Sequence, residues 1–600
     1  MNTRPLLLLL ASASLLQADP QLSSWFTADS GQYARLYQST AAETAGTTST
    51  TWSRGTGVQS SPTYAGVSEV VYSASWVYIR ATGLASHVMG PWYLDAAKTQ
   101  NFPNFPSNTA VLYRIPRTPV IPGTKTSTGL GATGRMVNGV SIFDSRDAFS
   151  YVNASATDAT PVNGLTGDGI WNRDGYHNEG ITFDPALAHQ AGNNYHYHAH
   201  PIGLRFQLGD HVDYNATTNR YTESTAPVTK HSPILGWAAD GIPVYGPYGY
   251  SSPLDPNSGV RRMVCGFVPR NGSYGTTNLS STGRTTLPAW AARVQNRSAT
   301  LAANQYGPAV GTNYLLGHYI EDFDYLGDLG YTLGTHFDLN EQNVRWCVTP
   351  DYPSGTWAYF TPINADGTPA YPYTTGRQYF GSPTGGSVGS ITETVTTHWS
   401  GGPNKTDTIR SAAIAGANVT LTWSGIEGGT YKVEGTSDLT TWSNLSTTTT
   451  VSGDDTGSYT ETNGAASGRR FYRVTRTSLA TFDSTGFNYT PTGGGGGGSG
   501  GAATAPGGTV TRGSTYTLTI NIPTTSTPPV PPANVAVSNL TIGGATTGIS
   551  GTVHASQYVV TCTYAVPAGA APGAGNVVVS FLNPQGATVS YTLTGGLTIQ

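Results

Sequence analysis

Charge is scarce in this chain. Of its 600 residues only 11% are Asp, Glu, Lys or Arg, where an ordinary soluble domain carries roughly 25%. The 30 basic and 34 acidic side chains nearly cancel, which excludes a surface built on net charge to hold nucleic acid or an anionic membrane. Cysteine is scarcer still, with only Cys265, Cys347 and Cys562, too few for a disulfide framework. Cys265 and Cys347 form either one bridge in an oxidising compartment or two buried thiols, and Cys562 is expected in the core of the last domain. No apolar stretch reaches the roughly 20 residues that a membrane-spanning helix needs, so no membrane span is expected. Metalloprotease helices, nucleophile elbows, phosphate-binding glycine loops and paired-cysteine metal motifs are all missing. Glycine and proline, 75 and 38 residues, fall below the level at which disorder becomes the expectation.

What is present is aromatic and β-forming. Tyr 35, Trp 12 and many Thr-rich alternating stretches suit pleated sheet better than helix. The length is several times that of one domain, so a mainly β, multi-domain protein is expected. Arg4, the apolar run from Leu6 to Leu16 and Ala18 before Asp19 have the layout of a secretory signal peptide over 1–18, which implies a secreted, extracellular or cell-surface protein. Residues 19–122 are rich in Tyr, Trp and alternating segments, and form either an N-terminal β-subdomain or the first strands of a main domain over 123–385. Residues 391–480 contain NVTLTWSG, TYKVEG and GRRFYRVTR, and resemble fibronectin type III-like sandwich modules. A glycine-rich linker spans 484–508. Beyond it, 509–600 alternates with turn signals every 8 to 12 residues, as an immunoglobulin-like sandwich does. This last stretch has no Asp or Glu and a single fixed cation, Arg512, which suits a spacer or cell-surface attachment role.

Ten of the twelve histidines precede residue 384, so chemistry is sought there. In NNYHYHAHP, Asn193 to Pro201, strand alternation puts His196, His198 and His200 on one face and Tyr195 and Tyr197 on the other. Neutral imidazole is the commonest ligand for transition ions. Three same-face residues span too far along a straight strand to share one ion, so two of them are expected to ligate, with Pro201 as the point where the strand ends. The alternative is three rings on a half-exposed face, each bonded to its own neighbour.

YHYH at Tyr195 to His198, HSPILGWAADGIPVYGPYGY from His231 to Tyr250, and LNEQNVRWCVTPDYPSGTWAYF within Leu339 to Tyr373 together resemble the YHYH-domain proteins. That resemblance implies a secreted protein with a suspected metal site and no established reaction.

Further candidates come from the residues themselves. Asp240, before Gly241, is either a turn residue or a metal ligand or its orienting acceptor. His231 is either a loop histidine or a third imidazole, and Tyr245 lines the same mouth and would assist oxidative chemistry. In YHNEG, His177 and Glu179 stand at same-face strand spacing, His177 as an additional ligand and Glu179 as either a general base for activated water or a surface salt contact. The acids from Glu321 to Glu341 suit calcium by ligand type, but their spacing fits no EF-hand, so a solvated loop is the better expectation. The favoured reading is a transition-metal site, copper or zinc foremost, acting on a small molecule or polysaccharide. The rival is a non-catalytic adhesion or carbohydrate-binding protein with at most a structural metal.

Overall fold

In this computed structural model residues 19–489 are described apart from 449–450, 452, 454 and 468–469; beyond 502 the strands of a C-terminal unit are described. The expected signal peptide and most of the expected linker lie outside the described residues. The chain divides into two compact units, residues 1–492 and 493–600, and strands predominate throughout. Among the described residues no helix is long and apolar enough to cross a membrane.

The first unit is organised around an eight-stranded mixed sheet. Its strands are β1 (Ala132–Met136), β2 (Ser141–Phe143), β3 (Ala188–Ala191), β4 (Asn194–Tyr197), β5 (Ile234–Ala238), β6 (Pro243–Tyr245), β7 (Val344–Cys347) and β8 (Thr356–Phe360), lying side by side in the order β3-β4-β2-β1-β5-β6-β8-β7. Most neighbours are antiparallel, while β4 beside β2 and β6 beside β8 run parallel. The central strands are buried along their whole length, Ile234–Ala238 and Pro243–Tyr245 included, as covering of both faces requires. Trp237 is fully buried and its indole N–H donates to Ser24 Oγ at 3.0 Å. The core also draws in Met136, Tyr195, Tyr197, Tyr245 and Tyr359. At typical values each such side chain stabilises the fold by about 1.5 to 3 kcal/mol.

A five-stranded antiparallel sheet runs in the order Gly386–Ser387, Val111–Pro116, Trp76–Ala81, Val67–Tyr72, Thr396–Ser400. It therefore joins strands of the N-terminal hundred residues to strands that follow residue 385. Thr396–Ser400, inside the stretch read as a sandwich module, hydrogen-bonds Val67–Tyr72. After it, two three-stranded sheets, formed by strands between Thr408 and Leu479, enclose Val419, Leu421, Trp423, Tyr431 and Val433. Buried Glu427 ties this part to the N-terminal region, accepting from Tyr33 N at 2.7 Å and Arg35 Nη2 at 2.6 Å. Phe482 and Phe487 pack with Tyr64, so the first residues of the expected linker belong to a folded cluster.

The second unit contains one four-stranded and one five-stranded sheet, and Cys562 on Val559–Ala565 lies opposite Leu518. Of the two outcomes left open for the other cysteines, the structure has two free buried thiols. Burial pushes Cys265 up to about 12 and Cys347 to about 11.

Candidate metal centre

The centre is built on the β3–β4 hairpin. Gly192, at φ 61, makes the turn that a side chain would strain. The resulting register sets His189 directly opposite His196. Pairing of β4 with β2 then sets Phe143 against His196, the rings stacked with centroids 3.8 Å apart. The strand ends at Tyr197, and the bend that follows folds His198 back until its Nε2 lies 3.1 Å from His196 Nε2. The fourth member comes from a short helix, Gly175–Glu179, whose N-terminus is capped by Asp174 accepting from His177 N at 2.8 Å. Glu179 ends this helix and places Oε2 2.8 Å from His198 Nε2 and 3.6 Å from His189 Nε2.

One ligand atom from each of Glu179, His189, His196 and His198 lies within 4.8 Å of the others. The protonation pattern follows from the partners on the far side of each ring. His196 Nδ1 faces Asn194 O at 3.0 Å and His198 Nδ1 faces Asp144 O at 2.8 Å. A carbonyl only accepts, so each Nδ1 carries the hydrogen. Thr182 Oγ1 donates to Glu179 O at 2.6 Å and so accepts from His189 Nδ1 at 2.7 Å. In the neutral rings all three Nε2 atoms therefore present bare lone pairs to one point, where a carboxylate oxygen is added. His189 Nε2 has no directed hydrogen-bond partner, and Glu179 Oε2 has His198 Nε2 at 2.8 Å. Such a gathering of acceptors is repulsive unless a metal ion sits among them or, without one, the proton that Glu179 favours on His198.

The titration directions agree with this geometry. Burial, then the neighbouring His198, hold His196 well below the ordinary imidazole range; burial, His196 and His198 do the same to His189. Both are neutral donors at neutral pH. Burial pulls His198 down as well, but the Glu179 carboxylate and the Asp144 carbonyl carry it above the ordinary value. Phe143, Phe183 and Phe102 surround the rings. A cleft of about 400 Å³ opens over them, walled by Leu94, Phe102, Leu130 and Phe143. Asp147 lines the same cleft; burial pushes its carboxyl up to about 7 against the opposing effect of Arg173, whose Nε is 2.9 Å away.

The other sequence candidates lie elsewhere. His177 is on a helix rather than a strand, because Asp174 caps that turn, and its ring meets His318 at 5.7 Å. Glu179 faces the histidines themselves, so it stands as a ligand candidate rather than a detached base. His200 follows the bend and turns to Arg205 Nη1 at 3.1 Å. His231 packs on Tyr245 and Tyr250 and bonds Ser232 O. Asp240 takes the turn role, accepting from Ile242 N, Gly381 N and Tyr359 Oη. Tyr245 donates to Asp351 and contacts Thr349 Oγ1. The acids from Glu321 to Glu341 do not converge as a calcium site would require. Asp322 is paired with Arg284, Asp338 with Arg261, and Asp328 and Glu341 share Arg293. His189 was missed, although the Ala-Gly-Asn-Asn turn between it and His196 carries the signal of a hairpin.

Residues 112–375 match the family described as "YHYH protein". The stretch that contains all four converging residues is thus a YHYH domain. No curated protein matches the chain. Among solved structures, the Bacteroides ovatus mixed-linkage glucan utilization locus protein SGBP-B, in complex with a mixed-linkage heptasaccharide, is 12% identical over 33% of this chain and 48% of its own, with a TM-score of 0.12. A likeness that slight carries neither fold nor ligand across.

Proposed function

We propose that this is an exported metalloprotein whose YHYH domain binds one transition ion, zinc or copper, through Glu179, His189, His196 and His198. The observation that carries the reading is the meeting of three imidazole Nε2 atoms and a carboxylate oxygen at one point. Backing of each ring by an oxygen on its Nδ1 side is the usual way a protein fixes a ligating imidazole. Imidazole and carboxylate together suit zinc and copper better than calcium. A bound ion would supply a Lewis acid able to polarise a substrate oxygen or activate water. Glu179 and the histidines would hold it, Asp147 would accept or return a proton at its carboxylate, and the aromatic walls would exclude water. The β units after residue 400 serve this domain as spacers or as means of surface attachment.

The test is elemental analysis of the purified full-length protein beside a His196→Ala, His198→Ala double variant. About one equivalent of zinc or copper in the wild type and none in the variant is the expected result; equal content in both overturns the reading.

A second reading, a carbohydrate-binding surface, is favoured by one separate feature. Trp346, 44% exposed, meets Trp357 edge-on at the rim of a groove of about 350 Å³ that also contains Tyr352, Arg117 and Asp19. Indole faces beside polar groups are suited to sugar rings. Affinity electrophoresis in β-glucan gels with wild type and Trp346→Ala tests it, retardation lost in the variant being the supporting result.

A further inference from the structure

A second cavity, of about 310 Å³, adjoins the metal cleft without contributing to it. Trp290, from the helix Ala289–Gln295, Asn172, Glu321 and the arginines Arg146, Arg297 and Arg377 line it. Arg146 also lines the cleft over the histidines, so the two spaces share a wall.

Three guanidinium groups around one small cavity are notable in a chain with so few charges. Two of them share a single carboxylate: Asp144 takes Arg146 Nε at 2.9 Å and Arg377 Nη1 at 3.0 Å. Burial and the adjacent Arg146 both disfavour the charge on Arg377, and Asp144 opposes them. Glu321 is fully occupied by Asn172 N, Asn172 Nδ2 and Gln295 Nε2 at 2.7 to 2.9 Å. Burial pushes its carboxyl up to about 7, so it compensates the arginines only in part at neutral pH. Arg297 has a buried Nε with no hydrogen-bond partner. The cavity thus holds more positive charge than its own acids neutralise, together with an unused donor, and both are expensive away from bulk water.

We propose that this cavity binds the oxyanion, a carboxylate or sulfate, of an acidic ligand. Guanidinium forks fit such groups in two-pronged fashion, and the volume falls in the range of small-ligand sites. Because Arg146 lines both spaces, an anion held here is placed beside the cleft over the histidines, and the substrate of that cleft is inferred to be anionic. That extension rests on the metal reading. Binding of the anion itself does not.

Isothermal titration calorimetry of the full-length protein with glucuronate and with sulfate, against chloride at matched ionic strength, tests the proposal. The expected result is saturable binding at one site, weakened at least tenfold in Arg297→Gln and unchanged in His189→Ala, His196→Ala. The stronger of the two ligands identifies the oxyanion as carboxylate or sulfate. Absence of saturable heat beyond chloride, or equal binding by Arg297→Gln and wild type, overturns it. Should Arg297→Gln fail to fold, modification of wild-type Arg297 by phenylglyoxal, read by peptide mass, replaces it. Protection by the anion supports the site, and modification unchanged by the anion overturns it. Metal content is read separately by elemental analysis, so failure of the metal reading leaves this result standing.

Discussion

A proton and a metal ion compete for the same point between four side chains. His189 and His196 are held neutral by burial and need lose nothing to ligate. His198 is raised by Glu179, so it is the member that must give up a proton. The sign follows from linkage: its pairing with Glu179 contributes stability in full below the unfolded value of 6.5 and loses it as pH rises through the raised folded value. Metal affinity therefore climbs by about tenfold per pH unit until that proton is gone, then levels off. Zinc titrations between pH 5 and 9 should show this slope, and Glu179→Gln should shift its upper limit to lower pH. A flat profile would mean that His198 takes no part. Thr182 is the matching test on the other side of a ring, as it accepts the His189 Nδ1 hydrogen at 2.7 Å. Thr182→Val should lower zinc affinity by about 10- to 100-fold, measured by chelator competition, while the melting temperature changes little.

At the scale of elements, the hairpin and the helix Gly175–Glu179 must fit against each other closely. A Cβ on Gly175 would stand 2.7 Å from His198 Nδ1 and 3.3 Å from the carbonyl carbon of Arg146. Gly175→Ala should displace the ring from Asp144 O, weaken zinc at least tenfold and cost about 1 to 3 kcal/mol in urea unfolding. The strand that carries His196 was legible in the sequence from its alternate His and Tyr; its hairpin partner with His189 was not read, although the Gly-Asn turn marks it. Mainly β architecture was legible too, from Thr, Tyr and Trp in alternating runs. The helix was not, because YHNEG alternates as a strand would and only the capping by Asp174 decides otherwise. Nor was the parallel contact of Asn194–Tyr197 with Ser141–Phe143, which joins residues some fifty apart by pairing that no local pattern specifies. Asp240, His231 and Tyr245 looked like site residues because Gly-rich turns and buried aromatics resemble a cleft lining. Here they satisfy turn amides, backbone carbonyls and each other.

For the molecule as a whole, Glu427 is one polar link, beside those of Gly453 and Asp483, between the strands after residue 400 and the N-terminal region. It is buried, and it bonds Tyr33 N, Arg35 Nη2 and Gly453 N. Glu427→Ala leaves those donors and the Arg35 charge without their acceptor, and should cost about 2 kcal/mol. Calorimetry of the full chain should show a lower or newly split first transition with metal content intact. A single unshifted transition would show that the other contacts between the two regions suffice, among them Tyr64 with Phe482 and Phe487 and the Asp483 bonds to Gln59 and Asn108.

The seating of Thr396–Ser400 on Val67–Tyr72 also has a temporal side. A ribosome releases the apolar segment at Val67 hundreds of residues before its neighbour, so its free edge must wait, ready to join the same segment of another nascent copy. Emergence of Thr396–Ser400, rather than growth of the first hundred residues, is what closes that edge, and holdase chaperones would be needed for as long as it stays open.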